Sequence, residues 1–320
     1  MSTTRDSWRP SASRHALEAR AEMLSDIRTF FAERNVLEVE TPVLSRAGNT
    51  DPNITGLRVD GSVPLYLRTS PEYPMKRLVA SFGKDIYELG RVFRGRERGG
   101  RHNPEFTMAE WYRVGWNWRA LADEVVALIR HCGRGEFDRW PCEMTTYRDL
   151  FLQHLGLDPF TATESDCEDL AGERGITAGP MDVRDWLDLL LSHVIQPAIE
   201  GARITVVCDF PVDQAALATL RDDDPPVAER FEVYLGGMEL ANGYQELGDA
   251  RELRDRFEHD NRIRELRGDP VLPIDDQLIA ALDHGLPDCA GVALGVDRLL
   301  MARLGVRDIG MTLSFPSDRA

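Results

Sequence analysis

The chain has 320 residues, 42% of them apolar, and a formal net charge of −16. That length allows one large domain or two ordinary ones, and the apolar fraction excludes disorder as the default. The acidic balance works against stable nucleic-acid binding, which is mainly phosphate neutralisation, but leaves room for a local basic pocket. The five cysteines are scattered and lack CxxC spacing, so neither a zinc site nor a disulfide framework is expected, and a reducing cytoplasm fits. MSTTRDSWRPSASRHALEAR has no apolar h-region, so no signal peptide is expected. No apolar run reaches membrane-spanning length.

In chain order, residues 13 to 34 predict a helix capped by Ser13, with Ala16, Ala19, Met23, Ile27 and Phe30 at helical spacing. VLEVETPVL (36 to 44) predicts a strand that ends near Pro42. LYLRTSPEYPMKRLVA (65 to 80) predicts a short strand, a turn and a helix. Residues 86 to 94 and 104 to 114 predict two strands of a long-looped hairpin. A helix is expected over 118 to 131, and a mostly helical region over 145 to 200. ITVVCDF (204 to 210) reads as a buried strand. After the hairpin near residue 236 come helices over 249 to 267 and 276 to 284. GVALGVDRLLMARLG then runs from strand into helix. Distant strands with helices between them predict an α+β fold, a mostly antiparallel sheet flanked by helices. No linker interrupts the pattern, so residues 1 to 320 are expected to form one domain.

RFEVYLGGMELANGYQEL (230 to 247) is a hairpin with Gly236-Gly237 at its turn. Regular pairing sets Leu235 against Met238, Tyr234 against Glu239, and Glu232 against Ala241. One face then carries Phe231, Val233, Leu235, Met238 and Leu240. The other carries Glu232, Tyr234, Glu239 and Ala241. The two carboxylates are diagonal neighbours, roughly 7 Å apart at Cα, and could converge on a hard cation such as Mg²⁺. From this segment alone, a solvated acidic face reads equally well. Glu246 falls on the wrong face unless Asn242-Gly243 forms a bulge.

Arg94 ends a strand at the mouth of an Arg- and Gly-rich loop, FRGRERGGRHNPEF, where a guanidinium could grip a phosphate. Alone, it reads as a soluble surface loop. Arg298 follows a glycine-rich strand-to-helix junction, where the backbone could approach a ligand. Phe106 could stack on a purine or simply fill core.

The order of these stretches is more specific than any one of them. VLEVETPVL, TSPEYPMKR, FR…HNPEFTMAEWY, ELANGYQEL and GVALGVDRLLM resemble the motif series of class II aminoacyl-tRNA synthetases, most closely the lysyl subgroup, over about residues 14 to 305. Motif 1 near residue 36 leaves no space for the N-terminal anticodon-binding barrel of lysyl-tRNA synthetases. With SWRPSAS at its start, the chain looks like the stand-alone ligases of this family, which use ATP to join (R)-β-lysine to a lysine of elongation factor P. Ala293 stands where the synthetase GxGxGxDR motif has a glycine, and the extra methyl fits an amino group on the β carbon.

The resemblance implies that Arg94 holds the α-phosphate and Arg298 the γ-phosphate. His102, Asn103 and Phe106 line the nucleotide site, with Leu240 and Gly295 beside it. Glu232 and Glu239 hold Mg²⁺. Ser70, Pro71 and Glu72 receive the amino group near the carboxylate, and Asn242 and Ala293 line the same pocket. Glu246 and Tyr112 take the distal ammonium. A homodimer through motif 1 is implied as well. One departure stands out: motif 2 usually reads FRxE, whereas here Arg96 occupies the acidic position and Glu97 follows it. Two other activities fit the same residues, a truncated enzyme that acylates another amine or tRNA, and a non-catalytic regulatory paralogue. The full adenylation set argues against the paralogue.

Overall fold

The computed structural model describes residues 8–179 and 181–320. Ser7 of SWRPSAS, and the first seven positions of the stretch read for a signal peptide, lie outside the described residues. Among the described residues, no helix is long and apolar enough to cross a membrane.

Among the described residues, twelve strands occur in the order β1 (Leu37–Glu38), β2 (Leu44–Ser45), β3 (Leu57–Val59), β4 (Leu65–Leu67), β5 (Ile86–Phe93), β6 (Glu105–Val114), β7 (Cys142–Thr146), β8 (Ile204–Pro211), β9 (Leu220–Arg221), β10 (Val227–Leu235), β11 (Met238–Gln245) and β12 (Cys289–Gly295). The large sheet runs β1-β5-β6-β12-β11-β10-β8-β7, with β9 on β10, and a small sheet pairs β2-β4-β3. In the large sheet β1/β5 and β7/β8 are parallel, and the other pairs are antiparallel. The α+β expectation therefore holds. The VLEVETPVL strand is largely absent: Leu37 and Glu38 pair with β5, and Leu44 and Ser45 join the small sheet instead. Pro42 cannot donate to a ladder, which fits the break between the two pieces.

Helix Arg14–Ala32 is capped as expected, with Ala16 N donating to Ser13 Oγ at 3.1 Å. It and helix Trp118–Gly133 bury Met23, Ile27, Phe30, Phe31, Leu121 and Val125 against one face of the sheet. That face is supplied by Trp111, Phe231, Val233, Leu235, Val292 and Leu294, as alternation along each strand requires. The opposite face splits. Beyond β10 it is covered by the helical middle, Tyr147–Leu155, Glu164–Glu173 and Val183–Leu190, which pack around Val207, Phe210 and Tyr234. Over β6, β12, β11 and the start of β10 it is left open as a cavity.

The hairpin register corrects one prediction. Leu235 pairs with Met238 and Tyr234 with Glu239, but the ladder then shifts, so Val233 pairs with Ala241 and Glu232 with Asn242. Leu240 is the extra residue. The bulge exists, but two residues before Asn242. Ala241 consequently turns to the core instead of the acidic face. The same shift puts Asn242, Tyr244 and Glu246 on the cavity side with Glu239. A single bulge reverses the face of every residue after it, which is why simple alternation misplaces Glu246.

Candidate active site

The cavity has a volume of about 280 Å³. Its floor is the open sheet face, where alternate residues of β6 (Phe106, Met108, Glu110, Tyr112) lie beside Gly291, Ala293 and Gly295 of β12 and Glu239, Asn242, Tyr244 and Glu246 of the β11 segment. Ala293 is in register with both Glu110 and Asn242. Ser70 and Glu72 close one end, and Arg94, His102 and Arg298 the other. The helical middle, which carried no chemical signal in the sequence, supplies Arg184 and Asp188 to the wall.

The first end is acidic. Ser70 Oγ donates to Glu110 Oε2 at 2.6 Å, and Tyr112 Oη donates to Glu110 Oε1 at 2.7 Å. Burial, then the charges of Glu72 and Glu246, push the Glu110 carboxyl up to about 8, although both hydroxyl donors oppose the rise. Glu246 is likewise pushed up to about 7 by burial, with Lys76 opposing. The Lys76 ammonium sits 2.6 Å from Glu72 Oε1 and 2.6 Å from Glu246 Oε2. Burial disfavours its charge, but Glu246 and Glu72 outweigh that effect and raise its pKa. Gly291 makes this arrangement possible. A Cβ there would lie 2.1 Å from Glu246 Oε1 and 2.5 Å from the Tyr112 ring. This glycine clears space for the protein's own side chains, a different role from the ligand approach expected of the motif.

The second end is basic. Arg94 Nε donates to the Thr69 carbonyl at 3.3 Å, and its guanidinium lies 5.4 Å from the Phe106 ring centroid. Arg298, in the first turn of helix Val296–Leu304, donates to the Glu239 carbonyl at 3.0 Å and lies 2.7 Å from His102 Nε2. Burial, then Arg298, lowers the His102 pKa, so the ring is neutral beside the guanidinium. The Asn103 side chain is used within the protein, donating to the Glu105 carbonyl at 2.6 Å and accepting from Ser317 N at 3.0 Å. It still borders the cavity and fixes the RHN turn. Leu240 and Gly295 border the cavity as well.

Two expected positions differ. Pro71 is buried at the start of helix Glu72–Phe82 and does not line the cavity. Glu232 is buried beneath it, with Arg230 Nη2 and Tyr234 Oη each donating to one of its oxygens. Burial, with Glu239 adding to it and Arg230 opposing, pushes the Glu232 carboxyl up to about 7. Among the described residues no group of three or more His, Cys, Asp or Glu could hold a metal ion. The donors present nonetheless suit a hard cation shared with a ligand. Glu239 faces the cavity with Arg298 Nη1 at 3.4 Å, and buried Asn242 Oδ1, opposite Glu232 in the ladder, has no hydrogen-bond partner.

A family model described as tRNA synthetases class II (D, K and N) matches residues 4–319. The chain is 45% identical to an elongation factor P–(R)-β-lysine ligase of Mannheimia succiniciproducens, over 98% of this chain and 99% of that protein. It is 46% identical to the ligases of the same name from Yersinia enterocolitica, with 98% of each chain covered, and Vibrio cholerae, with 99% and 100% covered. The chain belongs to the class II tRNA synthetase family. Its place within it is beside these full-length β-lysine ligases, and with the family comes the use of ATP.

The class II framework shows what the sequence reading left open, whether Glu97 substitutes for the acidic residue, and what it missed, Glu110. Arg96 points outward, 76% exposed, with Asp269 at 3.4 Å. Glu97 instead lines the cavity, 3.3 Å from Arg94 Nη1. The acidic side chain beside the motif 2 arginine is thus present one residue later. Glu110 was missed, although its signal was available. Phe106 and Tyr112 were both assigned to the site, and strand alternation puts Met108 and Glu110 between them on the same face.

Proposed function

We propose that this chain is a cytoplasmic ligase that adenylates (R)-β-lysine with ATP and passes it to the ε-amino group of a lysine on elongation factor P. The names of its full-length relatives support the substrate pair. The observation that carries the reading is the charge balance of the acidic end. Glu72, Glu110 and Glu246 bring three carboxyl groups and Lys76 one ammonium, a deficit of two positive charges (3 − 1 = 2). An amino acid with two ammonium groups fills that deficit, whereas one with a single ammonium leaves a buried carboxylate uncompensated.

Amine recognition at this end directs the substrate carboxylate toward the basic end. Arg94 and Arg298 hold the α- and γ-phosphates, and Phe106 stacks on adenine. The carboxylate oxygen attacks the α-phosphorus while the bond to the β-phosphate oxygen breaks, releasing pyrophosphate. The arginines stabilise the developing charge, so catalysis is positioning and electrostatics without a protein nucleophile. Glu239 and Asn242 Oδ1 would hold Mg²⁺, which would supply further neutralisation of phosphate charge. The acceptor amine, having lost its proton, then attacks the acyl carbon, forming the amide while the bond to AMP breaks. Residues 1–320 act as one catalytic unit, and the chain forms a homodimer. Support for the dimer comes from motif 1, where Leu37, Val43 and Leu44 are exposed.

ATP–pyrophosphate exchange tests the reading. Exchange is expected with (R)-β-lysine, weaker with α-lysine, and absent without amino acid, followed by labelling of elongation factor P. Labelling of tRNA with none on elongation factor P overturns the acceptor assignment, and no exchange with either amino acid overturns adenylation.

A further inference from the structure

The amine pocket contains a cation of its own. Lys76 is 1% exposed and does not border the cavity, whereas both of its partners, Glu72 and Glu246, do. Packing alone does not explain a lysine here, because methionine would fill much the same space without burying a charge. Nor is stability a sufficient account, since a buried ion pair is weak evidence for it. The other titratable groups around the cluster are Glu110 and Tyr112 from β6, Tyr244 from β11 and Cys289 from β12. None of these brings a positive charge. Lys76 is the one cation that acts on Glu246 among the described residues.

We infer that Lys76 is a positioning and specificity-determining residue: its ammonium pins Glu72 and Glu246 behind the cavity wall and sets how many positive charges an amino acid must bring. This rests on the ligase reading above. Without Lys76, the buried carboxylate of Glu246 and the partly buried one of Glu72 would face each other with no cation between them. The low-energy response is proton uptake, and a protonated carboxyl is a poor partner for an ammonium. Raising the pH would remove those protons and restore part of the attraction. A packing defect has no such dependence.

Two variants test this, Lys76→Met and Lys76→Gln. The glutamine keeps two N–H donors for the carboxylates, so it keeps the test decisive should the methionine variant fail to fold. In ligand-free protein at about pH 7, the infrared band of protonated carboxyl groups is expected to grow in the glutamine variant. In pyrophosphate exchange at about pH 6.5, its KM for the diammonium amino acid is expected to rise about tenfold or more, with the KM for ATP unchanged. The penalty should shrink toward about pH 9 as the carboxylates ionise. An unchanged infrared band overturns the inference. So does an unchanged amino-acid KM, or a loss that is independent of pH and shared equally with ATP. Should wild-type protein show no amino-acid-dependent exchange, the ligase reading falls, while the infrared comparison still decides the role of Lys76.

Discussion

Glu110 accepts hydrogen bonds from Ser70 and Tyr112, yet its nearest charged neighbours are two more carboxylates, Glu72 and Glu246. Its carboxyl is raised from 4.5 to about 8, so at neutral pH the ligand-free pocket carries a proton there. A carboxyl whose pKa is higher in the folded state contributes stability that is fully present below 4.5 and is lost as pH rises toward about 8. A diammonium ligand reverses this, because its charge replaces the proton. Binding at about pH 7 is therefore expected to release close to one proton, measurable as a heat that varies with the ionisation enthalpy of the buffer. The thermal stabilisation given by the amino acid should grow between pH 6 and about 8. A binding heat independent of buffer would show that Glu110 keeps its protonation state on binding and would refute this exchange of a proton for ligand charge.

At the scale of the strand, two glycines on neighbouring strands do opposite jobs. Gly291 of β12 faces the cavity, and a Cβ there would meet Glu246 Oε1 at 2.1 Å and the Tyr112 ring at 2.5 Å. Gly243 of β11 faces the core, and a Cβ there would meet the Phe231 ring at 2.5 Å. Gly291→Ala is expected to raise the amino-acid KM strongly with little change for ATP, since the clash lies at the acidic end. Gly243→Ala is expected to cost about 1–3 kcal/mol of stability by overpacking, with both KM values near wild type. Paired exchange kinetics and denaturant melts separate the two. The strands themselves were legible, because β5, β6, β10 and β12 alternate or run apolar with recognisable turns. The bulge at Leu240 was not legible at its true position, because its cause lies in two neighbours. Gly243 must sit beneath Phe231 while Asn242 opposes Glu232, and neither requirement appears within β11 alone. The Lys76 clamp was hidden for a related reason. Its partners come from its own helix and from a strand end 170 residues later, and a lysine on a short helix otherwise reads as solvated. The phosphate arginines were legible because motif order fixed them, whereas Glu97 was displaced by one residue within a loop that has no periodicity to follow.

For the whole molecule, the question is what covers the motif 1 edge. β1 ends the large sheet and pairs on one side with β5, so its other edge has no strand partner among the described residues. Leu37 on that strand is 59% exposed, and Val43 and Leu44 nearby are 40% and 43% exposed. An unpaired edge flanked by apolar side chains is a surface that soluble proteins normally cover or blunt with charge. The chain has charge to spare, at −16 overall, yet places little of it on these three positions. Self-repulsion at that net charge works against association unless the contact is specific and apolar. A homodimer through this edge satisfies both conditions. Light scattering at micromolar concentration is expected to give twice the 36.1 kDa chain mass. Leu37→Glu with Leu44→Glu should yield monomer, because two buried carboxylates without partners cost more than a contact of this size returns. Neither Leu37 nor Leu44 lines the cavity, so the monomeric variant also reports on coupling. Retained ATP–pyrophosphate exchange would mean that the dimer is architectural. Exchange lost together with dimerisation would mean that the partner holds the loop beyond β2, and with it Asn49 and Asp51 at the cavity wall, in place. A wild-type monomer under the same conditions would refute the assignment of this edge.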